Sequence, residues 1–132
     1  MNYLFAPESV VERQTIFRQW TDALESADRL RMYPDFDTFA ERLRLFNNPE
    51  IIVLIGIGKS EIENLIALSD LIRDAAIIVL LSSDETSAAG LAIRLRPKFI
   101  GTVRDDLEKV MPIVQKIIQN RKARAQIVSG DG

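Results

Sequence analysis

A chain of 132 residues with no cysteine, no histidine and a formal charge of −2 is one domain's worth of polypeptide. The two zeros exclude disulfides, thiolate nucleophiles, cysteine-ligated zinc or iron–sulfur clusters, imidazole-based catalytic triads and phosphohistidine transfer. Its 47% hydrophobic and 27% charged residues are those of a globular domain, and no apolar run approaches the roughly 20 residues needed to span a bilayer.

Met1 to Glu8 places no basic segment ahead of a long apolar stretch, so a cytoplasmic protein is expected. Asn2 to Ala6 reads as a short strand ended by Pro7. Ser9-Val10-Val11-Glu12 then forms a capping box for a first helix with Ile16, Phe17, Trp20, Ala23 and Leu24 inward. Arg29 to Tyr33 alternates charged and apolar residues, as an edge strand does. Asp35 or Asp37 caps the second helix, whose core face is Phe36, Phe39, Ala40, Leu43 and Phe46, and Asn47-Asn48-Pro49 turns into the next strand.

Glu50 to Ile57 is an unbroken aliphatic run, the pattern of a strand covered on both faces, and Ala75 to Leu81 is a second. Between them Ser60-Glu61-Ile62-Glu63 reads as a capping box for a third helix ending near Asp74. Ser82-Ser83-Asp84-Glu85 starts a fourth helix carrying Ala88, Leu91, Ala92 and Leu95 and stopped by Pro97. Phe99 to Val103 makes a fifth strand. Asp105 or Asp106 then caps a fifth helix, in which Pro112 predicts either a kink or a start delayed to Met111. Residues 121–132 lose the helical stripe and read as a tail or the start of a linker, leaving 1–120 as the domain. Five strands alternating with five helices predict an α/β fold, a three-layer doubly wound five-stranded parallel sheet.

This order, the element lengths and the segments Phe39-Ala40-Glu41-Arg42-Leu43 and Pro49-Glu50-Ile51-Ile52-Val53-Leu54-Ile55 resemble the receiver domain of bacterial two-component response regulators. The resemblance extends to about Asn120 and implies the flavodoxin-like strand order 2-1-3-4-5. It also implies where phosphorylation chemistry would lie: an acceptor aspartate after the third strand, an acidic pair holding magnesium after the first, a hydroxyl residue after the fourth and a lysine after the fifth. Ile55 stands at the acceptor position and cannot take a phosphoryl group. The acidic pair falls at Ala6-Pro7 or Pro7-Glu8, leaving Glu8 alone to hold a metal. Ser82 or Ser83 matches the hydroxyl position, and Thr102 or Val103 the lysine position. The expectation is a degenerate pseudo-receiver with no metal and no cofactor, not an enzyme but a phosphorylation-independent signalling and protein-interaction module.

The sequence holds other candidates beside it. Gly56-Ile57-Gly58-Lys59-Ser60 is similar to a phosphate-binding loop, giving as alternative a small flavodoxin-like ligand- or anion-binding domain that uses Gly58, Lys59 and Ser60. The nucleotide motif requires Gly-x-x-x-x-Gly-Lys-Ser/Thr, however, and Val53 occupies the place of its first glycine. Glu8 and Asp35 could face each other across the sheet edge, and Ser82 to Glu85 could supply a hydroxyl and a carboxylate, although solvated loop charges and helix capping explain both groups. Charge is uneven along the chain: residues 1–90 hold 8 Lys+Arg and 15 Asp+Glu, net −7, whereas residues 91–132 hold 9 and 4, net +5. Arg94, Lys98, Arg104, Lys109 and Lys116 thus define a basic face on the fourth helix, fifth strand and fifth helix, suited to a protein partner or a homodimer, with an attached output domain as a further partner. The acidic whole argues against nucleic acid.

Overall fold

The two unbroken aliphatic runs lie side by side at the middle of the sheet. In a computed structural model, which describes residues 2–6, 13–23, 30–33, 35–45, 50–82 and 86–131, the strands are β1 (Asn2–Phe5), β2 (Leu30–Tyr33), β3 (Ile51–Ile57), β4 (Ala76–Leu81) and β5 (Phe99–Thr102). All pairings are parallel and the order is β2-β1-β3-β4-β5, the expected flavodoxin-like arrangement. The helices are α1 (Arg13–Ala23), α2 (Phe36–Leu45), α3 (Lys59–Ala67), α4 (Thr86–Ala92), the single turn α5 (Val103–Asp106) and the long α6 (Val110–Asp131).

Alternation along β3 and β4 feeds two separate cores, which is why neither strand shows a polar face. Ile51, Val53, Ile55, Ala76, Ile78 and Leu80 pack with Ile16 and Trp20 of α1 and with Val110, Val114 and Ile118 of α6. Ile52, Leu54, Ile77, Val79 and Leu81 pack with Phe39 and Leu43 of α2, Ile62 and Leu65 of α3, and Ala88 and Ala92 of α4. Tyr3, Phe5, Tyr33, Phe36 and Phe39 close the second core with edge-on and tilted ring contacts.

One residue interrupts the alternation. Gly56 has φ 72 and the β3–β4 register shifts between Ile55 and Ile57. A bulge adds one residue to one strand, so Ile57 turns into the α2–α3–α4 core instead of joining Ile55 on the other face. Glycine adopts positive φ without steric penalty, which is what this position needs.

Helix boundaries depart from expectation where tertiary geometry overrides local signals. Ser60 does not cap α3: Gly58 is the N-cap, no side chain bonds there, and Ser60 lies inside the first turn. Nor does α3 reach Asp74; it ends at Ala67 and a 3₁₀ turn, Ser69–Leu71, carries the chain to buried Ile72. Asp35 caps α2 as predicted, its carboxylate accepting from Asp37 N (2.9 Å) and Thr38 Oγ1 (3.2 Å). α4 is followed by a 3₁₀ turn, Ile93–Leu95, that stops at Arg96 before Pro97. After β5, Thr102 rather than Asp105 or Asp106 is the cap. The delayed start is found, one residue before Met111: α6 begins at Val110, which places Pro112 in the first turn where an N–H has no helical partner to lose. α6 continues through residues 121–131, the segment whose sequence reads as tail or linker. The expected Ser9–Glu12 box, the Asn47-Asn48-Pro49 turn and Ser83-Asp84-Glu85 lie outside the described residues.

Candidate functional site at the carboxyl edge of the sheet

In a parallel doubly wound sheet the strand carboxyl ends gather at one edge, where ligands usually bind. Here that edge contains Ala6, Ile55 to Gly58, Ser82 and Thr102. Ala6 is fully buried and its N–H donates to Tyr33 O at 3.1 Å. Ile55 is 0% exposed, pairs with Leu80 and packs in the α1–α6 core. Ser82 N donates to Ile57 O at 3.0 Å, prolonging the β3–β4 ladder, and its side chain is exposed. Glu8 and Ser83 lie outside the described residues. Asp35 is committed to capping α2 through both oxygens, so it is an occupied group. Among the described residues no cluster of three metal-ligating side chains forms.

The end of β5 is a closed polar clasp. Thr102 Oγ1 accepts from Asp105 N (3.3 Å), while Thr102 N donates to Asp106 Oδ2 (2.9 Å). Asp106 Oδ1 in turn accepts from Lys109 Nζ at 2.9 Å. The Lys109 bond, followed by the Thr102 amide, holds the Asp106 carboxyl below its ordinary pKa. The same bond raises Lys109. Gly101 is required beside this carboxylate, because a Cβ there would collide with it and come within 2.7 Å of the Asp106 Cβ. The sequence signal was present in Thr102-Val103-Arg104-Asp105, which has capping-box spacing.

The possible anion turn does not gather into a cradle. Gly58 is a lone cap residue, and the side chains of Lys59 and Ser60 are exposed on α3. Arg94, Lys98, Arg104, Lys109 and Lys116, the residues of the expected basic face, are each exposed. Lys109 is tied to Asp106. On the same elements Ile93 is 63% exposed, and Phe99, Ile100 and Leu107 are half-buried. Tyr33, at the far side of the sheet, accepts from Arg42 Nε at 3.3 Å. No helix among the described residues is long and apolar enough to cross a membrane.

No protein-family model and no curated protein matches the chain. Solved structures do. The signal receiver domain of an HD domain-containing protein from Pseudomonas fluorescens Pf-5 superposes with TM-score 0.68 at 12% identity, covering 92% of this chain and 97% of its own. A protein described as a pilus assembly protein, from Burkholderia thailandensis E264, gives 0.66 at 14% identity, covering 90% and 98%. The phosphorylated cyanobacterial phytochrome response regulator RcpA gives 0.63 at 14% identity, covering 88% and 89%. The fold is that of the signal receiver domain and the response regulator among these, and at such identities the fold is what is shared.

Proposed function

We propose that this chain is a non-enzymatic signalling module that keeps the receiver fold but works without phosphorylation, binding an acidic protein partner or a second copy through α4, β5 and the start of α6. The observation that carries this reading is Ile55, a side chain with no oxygen, completely buried near the tip of the central strand. An acceptor must present a carboxylate to solvent and to a metal, and a fully packed isoleucine presents neither. The clasp at Thr102 supports it from the other side, since Lys109 bonds Asp106 within the same turn.

The proposed face has the anatomy of an interaction surface, an apolar centre with a charged rim. Ile93, Phe99 and Ile100 supply the centre, and Arg94, Lys98, Arg104 and Lys116 the rim. A rim of one sign steers partners of the other sign. α6, continuing beyond Ile118 to Asp131, offers a rigid connection to an attached output domain. The experiment is incubation with acetyl phosphate and magnesium followed by intact-mass analysis. No phosphoryl adduct is expected; a stoichiometric acyl phosphate overturns the reading.

A further inference from the structure

Three arginines line one cleft, and of these the partner face proposed above uses only Arg94. At the amino-terminal edge of the sheet, where β4 begins, a cleft of about 360 Å³ is lined by Ser69, Asp70 and Arg73 from the turn after α3 and by Arg94 and Arg96 from the end of α4, over buried Ile72 and Leu95. Arg73 reaches Asp70 at 3.4 Å, but the two side chains are 74% and 91% exposed, so the pair is weak. Among the described residues neither Arg94 nor Arg96 has an ion-pair partner. The lining therefore carries three guanidinium groups against one carboxylate.

Backbone strain marks the same spot independently. Arg96 has φ 54 and ψ 53, the only non-glycine residue with positive φ among those described. This ends a helix in the left-handed conformation, a position that favours glycine or asparagine. It also precedes Pro97, where an extended backbone is preferred. A cation near a helix carboxyl terminus complements the dipole, which accounts for Arg94. It does not account for an arginine at the strained position, and strain of this kind concentrates at binding sites.

We infer that this cleft binds a small phosphate-bearing ligand. Guanidinium forks match phosphate oxygens two at a time, the geometry that distinguishes arginine from lysine. The volume lies at the lower end of small-molecule sites, roughly 300–1,000 Å³, and the Ile72–Leu95 floor receives the uncharged part of the ligand. The cleft shares Arg94 with the partner face proposed above but not Arg73 or Arg96, so phosphate binding that is lost in Arg96→Gly and protein binding through the face can each fail alone.

The test is titration of the full chain with sodium pyrophosphate and with inorganic phosphate, by calorimetry and thermal unfolding, against sodium chloride of equal ionic strength. Pyrophosphate is expected to bind saturably and to raise the unfolding midpoint beyond the chloride control. Arg94→Ala and Arg96→Gly are each expected to weaken binding by about tenfold or more. Arg96→Gly should at the same time raise the midpoint of the free protein, because it relaxes the backbone while removing the cation. Lys59→Ala, which alters the α3 turn instead, should bind as the parent does. Stabilisation equalled by chloride, unchanged binding in both arginine variants, or loss of binding in Lys59→Ala would each refute the site.

Discussion

The ends of β3 and β5 solve one problem in two ways. Both pass from strand to helix at the same edge, yet β3 does it with backbone and apolar packing, whereas β5 does it with side-chain hydrogen bonds. At β3, Gly56 supplies positive φ, Gly58 caps α3 without a side chain, and Ile55 and Ile57 are both fully buried. At β5, Thr102, Asp105, Asp106 and Lys109 satisfy one another around Gly101. The first junction should be indifferent to pH and salt but intolerant of polar substitution. The second should respond to both.

The largest effect is expected from Ile55→Asp, which leaves an unfilled space and buries a carboxyl group with no partner. A loss of about 4 kcal/mol or more should appear in urea unfolding, whereas Ile55→Val should cost about 1 kcal/mol. Toleration of the aspartate would mean that the tip of β3 opens to solvent, and the contrast between the junctions would fall with it.

Next come the two glycines. Gly101→Ala should destabilise by about 2 kcal/mol through overpacking against Asp106. Asp106→Ala should recover only part of that, because the alanine keeps the Cβ 2.7 Å away, whereas Asp106→Gly removes the whole collision. Gly56→Ala should cost about 1–2 kcal/mol by forcing a Cβ into left-handed backbone, and no neighbouring truncation should rescue it. Thr102→Ala, which removes an exposed cap, should lower stability by about 1 kcal/mol and leave β3 amide protection in hydrogen exchange unchanged.

The smallest effect is electrostatic. Asp106 has a lowered folded-state pKa, so its contribution is present above its ordinary value of 3.8 and is lost as pH falls through the lower folded value. Wild type and Asp106→Asn should therefore converge in stability at the acid end. High salt should narrow their difference at neutral pH, because the Lys109 partner is exposed.

Features fixed by local chemistry were legible from the residues. The aliphatic runs at Ile51 and Ala76, the Asp35 cap and the displacement of the last helix by Pro112 each depend on neighbours a few positions away. What was not legible depended on geometry set elsewhere. Ser60 has the right spacing for a cap, but β3 runs on through its bulge to Ile57 and the helix starts immediately after Gly58. A single glycine inside an apolar run signals a bulge, yet only the register with β4 shows that Ile57 changes face. At the candidate site, spacing placed Ile55 and Thr102 on their strands. Asp106 bonding back to Thr102 N needed the turn that α5 makes. The grouping of Arg73 with Arg94 and Arg96 is invisible in a linear reading, because it joins the ends of two helices across the foot of β4.

The bulge at Gly56 has a last consequence. By sending Ile55 and Ile57 to opposite sides of the sheet, it lets one strand tip feed both cores, so that the helical layers above and below are anchored to the same short stretch of backbone.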